Sequence, residues 1–424
     1  MSDKRRLIEW GKDALIALLT LSAVWLLSMT PLIQDSGVME LFAPKENLGT
    51  GLPVEGRGRM VRPVRLAVTG EGGRYGVQYD EERLEELFFP LGALLGDALS
   101  SAGEPVPMAE KEWREYLGDR KNIYFDFLGQ VPLSALGRWF QNQETEGTEL
   151  AGCARRVLLC AGLEDQVLLC WQETDSGRFF RCSTALTQAL HLEPAVERVT
   201  PNGAHFAFES RELSRLLDPY TLITEGEQSG GEYTVSIPLE GEAGTGKILE
   251  ALSFSGQNHA AVSGGEVYLD GGDRLVINGG GTVSYRAAQP EKYPVGPALA
   301  DWVDGARALA EQTLGALCGE ARLYLISAQE EGGALRVSFG YLLDGCAVRL
   351  NGGGWAAEFW IYEGYITQFT LRLRSYTASG NRALLLPIDK AAAMLPDLTD
   401  GRRELVLQYW DGGGESLSPA WVAA

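Results

Sequence analysis

Apolar positions change their period several times along the chain, and each change marks an element. Residues 14–33, ALIALLTLSAVWLLSMTPLI, carry no charge over 20 positions. That is about 30 Å as a helix, or about one bilayer core. The cluster Lys4, Arg5 and Arg6 precedes it, which predicts a cytoplasmic N-terminus with everything after Gln34 outside. The anchor residues are Trp10, Leu15, Leu19, Trp25 and Leu27, with Trp10 placed to sit at the membrane interface. Ala17, Thr20 and Ala23 recur every three positions, with Ser28 five further on, and give a small, hydroxyl-bearing face for packing against another helix. A cleaved signal peptide is the rival reading. No small-x-small site follows the apolar run, and no Cys there suits a lipid anchor.

Residues 35–60 are rich in Gly, Pro and charge and read as a stalk. A first α+β unit spans 61–217. Val64, Leu66 and Val68 alternate as in a strand. Asp80 is placed to cap a helix with Glu81 and Glu82 in its first turn, and Leu84, Leu87, Phe88, Leu91, Leu94, Leu95 and Leu99 keep helical spacing through Pro90. NIYFDFLGQVPLSALGRWF predicts a strand, a turn and a short helix. RRVLLCAGLEDQVLLCWQE and RFFRCSTA predict a meander, followed by a short helix over 186–192 and a further strand and helix. A middle β-rich module spans 218–296, with EYTVSIPLE, ILEALSFSG, EVYLDGGDRLVING and GTVSYRAA as strands. A C-terminal α+β module spans 297–424. Pro297 opens a helix whose Leu299, Trp302, Val303, Ala306, Ala310, Leu314 and Leu317 share one face and which Gly319 can end. Antiparallel strands follow, with a hairpin turn at Glu363-Gly364, a single strand over YITQFTLRLRSY, a short helix over LPIDKAAAMLPDL and two closing strands. The fold class is α+β: one N-terminal transmembrane helix, then three α+β units with antiparallel sheets. A shared skeleton of SF, YL, DG and NGGG in 252–281 and 337–354 makes the last two units candidates for a tandem repeat.

Composition changes this picture little and excludes much. The 37 Lys and Arg against 57 Asp and Glu give a net charge of −20, which argues against nucleic acid as a partner. At 45% hydrophobic residues the chain has ample apolar surface to fold. The six Cys show no CxxC spacing, so neither a zinc site nor a redox motif is expected. Cys160 and Cys170 fall in facing strands, as a bridge or as two buried thiols. Gly241 to Lys247 has the glycine and lysine spacing of a phosphate-binding loop, but Ile248 stands where a hydroxyl is needed, and the segment beyond reads as a strand. A Gly-rich turn is expected there. His191, His205 and His259 form no metal or catalytic spacing, and no nucleophile elbow occurs. No catalytic, cofactor-binding or metal-binding residue is therefore assigned, and a non-catalytic protein without cofactor is expected. Trp355, Phe359, Trp360, Tyr362, Tyr365, Phe369, Tyr409, Trp410 and Trp421 crowd the last module. In strands, alternate members must point outward. Trp360, Tyr362, Arg372 and Arg374 are the candidate partner-binding residues.

The basic stub, single span, long outward α+β chain and absence of catalytic motifs resemble the YycH/YycI regulators. These are membrane-anchored accessory proteins of an essential Firmicutes two-component system governing cell-wall metabolism. KNIYFDFLGQVPLSAL resembles the apolar strand, proline and helix of the first YycH domain. The three-unit layout suits YycH, and the tandem final modules suit YycI-like halves. ITQFTLRLRSY, PIDKAAAML and ELVLQYWDGGGESLSPAW are similar to a PepSY-type module. The resemblance implies a sensor histidine kinase as partner, with a sister membrane-anchored regulator as a second. A wall-associated enzyme or ligand-binding protein, or an envelope or sporulation scaffold, stays open as an alternative on the residues alone.

Overall fold

The computed structural model describes residues 61–140, 150–174, 176–224, 229–239, 242–394 and 403–423. The predicted anchor, its packing face and the stalk lie outside the described residues. Among the described residues no helix is long and apolar enough to cross a membrane.

The first unit is a seven-stranded antiparallel sheet covered by helices. Its strands are β1 (Arg65–Gly70), β2 (Gly73–Gln78), β3 (Val106–Met108), β4 (Asn122–Pro132), β5 (Cys153–Ala161), β6 (Gln166–Glu173) and β7 (Phe179–Thr187), ordered β2-β1-β4-β5-β6-β7-β3. Helix α1 (Glu81–Ser100) starts where Asp80 accepts a hydrogen bond from the Arg83 backbone N–H at 3.1 Å. Its stripe Leu84, Phe88, Leu91, Leu95 and Leu99 is buried against the sheet, and Pro90 sits inside the helix without ending it. Helix α2 (Glu110–Asp119) buries Trp113 on the opposite face with Tyr124, Phe179 and Tyr220. Helix α3 (Leu133–Phe140) leaves β4 directly. Two very short strands, β8 (His205–Phe206) and β9 (Leu222–Ile223), pair behind this sheet.

The rest of the described chain builds one long sheet and a small one. The long sheet contains β11 (His259–Val262), β12 (Gly265–Asp270), β13 (Asp273–Asn278), β14 (Thr282–Arg286), β15 (Arg322–Glu331), β16 (Ala334–Leu343), β17 (Cys346–Leu350), β18 (Ala357–Tyr362), β19 (Tyr365–Arg372), β21 (Leu405–Asp411) and β23 (Pro419–Ala423). Its order is β11-β12-β13-β14-β19-β18-β16-β17-β21-β23, with β15 on the other edge of β16. Only β17 and β21 run parallel among these pairs. The small sheet joins β10 (Ser229–Ser236) to β20 (Ser375–Leu384) and β22 (Ser416–Leu417). Helix α4 (Glu242–Ala251) and helix α5 (Leu299–Ala310) precede two runs of strands, and α6 (Ile388–Ala393) follows β20.

Three local expectations change. The segment expected to continue as a strand, ILEALSFSG, begins inside helix α4 instead. Buried Ile248 and Leu252, four apart, stabilise one helical turn against the core and outweigh the glycine cost. YITQFTLRLRSY is two strands, because β19 ends at Arg372 and β20 restarts at Ser375 in another sheet. Leu299, expected on the buried face of α5, is exposed, while Val303, Ala306 and Ala310 are buried. The hairpin turn at Glu363-Gly364 is present, with φ of 48° and 80° at its two central residues.

The middle and last modules share the long sheet. A helix and four antiparallel strands (α4 with β11 to β14) meet a second helix and four strands (α5 with β15, β16, β18 and β19) at the antiparallel β14–β19 pair. The repeated NGGG is out of step with this layout. The first NGGG separates β13 from β14, whereas the second follows β17, which leaves the set to pair with β21. The glycines themselves occupy positive-φ turns, as at Gly281 and Gly352.

Among the contacts that join the first unit to the rest of the described chain, two stand closest to the long sheet's edge and its covering helix. At the first, α3 packs between α1 and α5, and Trp139 Nε1 donates to Asp304 at 2.6 Å beside the Arg138–Asp301 ion pair. At the second, β4 crosses the edge strand β15. A Cβ at Gly129 would lie 2.3 Å from the Leu325 carbonyl oxygen, so only glycine fits this crossing. Next to it lies a buried ionic network. Asp126 accepts from Arg65 at 3.1 Å and from Arg155 at 3.0 and 3.1 Å, and Glu404 pairs with Arg65 and, at 2.6 Å, with Arg155. Arg156 pairs with Asp218 at 2.8 Å. The network ties β1, β4 and β5 to the residue that precedes β21.

Candidate partner-binding face

The long sheet alternates cleanly. On one side Leu275, Ile277, Val283, Tyr285, Phe369, Leu371, Phe359 and Ile361 are buried, facing the core that includes α5. The other side of β12, β13, β14, β19 and β18 is solvated, as one-sided antiparallel sheets allow.

Register aligns one row of side chains across this open side. Leu269 stands opposite Arg274, Arg274 opposite Arg286, Arg286 opposite Gln368, Gln368 opposite Trp360, and Trp360 opposite Arg336. The row holds three arginines, one indole and no acid. The Arg274 and Arg286 side chains are exposed and make no ion pair or side-chain hydrogen bond among the described residues. Like charges directly opposite each other in a sheet are destabilising. A protein with net charge −20 thus places two unneutralised arginines side by side on its open face.

The aromatic end of the row is more ordered. The Arg336 guanidinium lies 5.5 Å over the Trp360 ring. Arg336 and Arg372 both bond Glu358, the latter at 2.8 Å, and Arg372 also donates to the Trp355 carbonyl at 2.6 Å. Burial pushes the Glu358 carboxyl up, but the two arginine hydrogen bonds outweigh it and hold the group below its usual range. Tyr362, one alternation beyond Trp360 at the hairpin end, is 46% exposed.

The four sequence candidates therefore divide. Trp360, Tyr362 and Arg372 lie at this face. Arg374 lies past the end of β19 and is tied inward: its Nε pairs with Asp411 at 3.2 Å, and Asp411 also accepts from the buried Tyr376 hydroxyl at 3.0 Å. Sequence reasoning missed Arg274, Arg286 and Arg336. Strand alternation placed each on an outer face, but their alignment depends on the β14–β19 pairing between modules.

The remaining chemical candidates occupy other settings. Of the Gly241–Lys247 motif, Gly244, Gly246 and Lys247 lie within helix α4 rather than in a loop that wraps phosphate, and Gly241 lies outside the described residues. His191 Nδ1 accepts from the Thr187 backbone N–H at 3.1 Å, and His259 is exposed and stacked on Tyr268 at 5.4 Å. No group of three His, Cys, Asp or Glu side chains among the described residues could hold a metal ion. The Cys160 and Cys170 sulfurs lie 3.8 Å apart as buried free thiols. Burial pushes the thiols of Cys170 and Cys346 well up, Cys182 to about 12 and Cys318 to about 11. Few thiolates form near neutrality. Native iodoacetamide labelling, read by peptide mass spectrometry, is expected to modify Cys153 and spare the other five until denaturant is added. Native labelling of Cys182 or Cys346 at the rate of Cys153 would contradict this packing.

These observations define a class: an α+β protein built on two large sheets with two small ones, whose distinctive surface is an open, arginine- and aromatic-bearing sheet face. No family model matches the chain, and no curated protein matches it. Among solved structures the fold is similar to that of YycH from Bacillus subtilis, with a TM-score of 0.56 and 12% identity, over 88% of this chain and 95% of that one. The chain has a YycH-like fold. An uncharacterized protein from Eubacterium rectale matches with a TM-score of 0.30 and 15% identity, over 47% of this chain and 78% of that one, and carries no argument.

Proposed function

We propose that this chain is a membrane-anchored extracytoplasmic regulator that binds and adjusts a sensor histidine kinase of a cell-envelope two-component system. The observation that carries the reading is the YycH-like fold over nearly the whole chain, with the resemblance in layout behind it. The anchor over residues 14–33 would pack against kinase transmembrane helices through Ala17, Thr20, Ala23 and Ser28. The row from Leu269 to Arg336 is the docking face for an acidic surface of the kinase sensor region. The tandem final modules are the YycI-like part of this reading, the ending from Ile366 to Trp421 is its PepSY-like part, and a sister regulator is a second partner. No catalytic step is assigned.

Mild crosslinking of native membranes followed by purification of the full chain tests the reading. A histidine kinase is expected among the captured proteins and is expected to be lost when residues 14–33 are replaced by an unrelated span. Recovery of no kinase would overturn it.

A further inference from the structure

A cleft of about 410 Å³ opens where the first unit meets the long sheet. Volumes of this order hold small molecules. One wall is the β4–β5 side with Gln130 and Arg155, and the other is the β15–β16 side with Ile326, Gln329 and Arg336, with Trp355 beside them. The Gln130 and Gln329 side chains hydrogen-bond to each other across the gap.

The lining is selective in charge. The chain carries 57 acidic residues, yet none lines the cleft, while two arginines do. Both arginines are held from behind by acids outside the lining: Arg155 by Asp126 and Glu404, Arg336 by Glu358 and Glu331. Those pairs fix the guanidinium planes without using every donor. Arg336 Nε is buried and has no hydrogen-bond partner. Arg155 engages its Nε and Nη2, which leaves Nη1 without a partner among the described residues. A guanidinium presents planar, paired donors that match a carboxylate or a phosphate.

The geometry points to a binding site for a small oxyanion carrying an apolar group, held between Arg155 and Arg336 with its apolar part against Trp355 and Ile326. Carboxylate and phosphate share this chemistry. The site lies at the end of the open face, because Arg336 belongs to both, so an occupied cleft alters the charge that the face presents. The site itself does not depend on the identity of the partner.

Calorimetric titration of the full chain in detergent tests it, with benzoate, inorganic phosphate and, as the cationic counterpart, benzylamine as probes. Binding of benzoate or phosphate is expected, and the tighter of the two identifies the source of the oxyanion. R336Q is expected to weaken that binding about tenfold or more, as for a lost charge-assisted pair, and R336K to restore part of it. Gln329 is exposed at the rim, so Q329W should block the cleft without touching the core. This variant should abolish binding, while leaving kinase capture intact. Equal binding of benzylamine, no heat from either anion, or full binding by a folded Q329W would each overturn the proposal.

Discussion

Glu404→Gln should lower the unfolding free energy by about 3–5 kcal/mol, the effect of removing one partner from a buried ionic group. The substitution keeps the shape and removes the charge. Arg65, Arg155 and Arg156 then share Asp126 alone inside the protein, apart from the Arg156–Asp218 pair nearer the surface. Urea unfolding followed by circular dichroism reads the change, and a loss below about 1 kcal/mol would show that the network contributes little. The same group sets a pH dependence. Burial pushes Glu404 and Asp126 up, but the arginines outweigh it and hold both below the usual carboxylate range. With folded values depressed, the unfolded chain binds more protons in acid, so stability rises with pH there. The contribution is present above the unfolded carboxylate range near pH 4 and is lost as pH falls below it. Between about pH 5 and pH 2, the wild-type protein should lose stability more steeply than Glu404→Gln.

Adjacent residues on β18 give the second large contrast. Phe359 is fully buried between Phe339 and Phe369, with ring centroids at 6.0 and 5.8 Å. Phe359→Ala should cost about 3–5 kcal/mol, for lost transfer and a cavity. Trp360 faces the other way, under Arg336. Trp360→Ala should cost about 1 kcal/mol of stability, the scale of a partly exposed cation–π pair. It should instead weaken partner binding by about 2 kcal/mol or more, as an interface aromatic anchor does. Parallel unfolding and binding measurements check the pair. Similar stability losses for both would remove the assignment of the two faces.

Much of the first unit was legible because its signals are local. Asp80, the stripe from Leu84 to Leu99 and the alternation of β4 to β7 each specify an element within about twenty residues. Helix α4 was misread because its glycines lower helix propensity and its two buried anchors, Ile248 and Leu252, act only through tertiary packing. The split of YITQFTLRLRSY was hidden for a similar reason: Leu373, Arg374 and Tyr376 all find buried or charged partners that the strand pattern does not name. The open face was half legible. Trp360 and Tyr362 stood out in an aromatic strand, and Arg372 on the face of the strand that follows it. Arg274 and Arg286 carry no local signal of their own, and only the β14–β19 pair places them in one row with Trp360. The cleft was not legible, because its arginines come from two sheets that meet only in the folded chain.

Kinase autophosphorylation in vesicles, with and without the full chain co-reconstituted, tests the central reading most directly. The rate is expected to change severalfold when the chain is present, and Trp360→Ala or charge reversal at Arg274 and Arg286 should return it toward that of the kinase alone. Identical phosphorylation with the chain in stoichiometric excess would contradict a regulatory role.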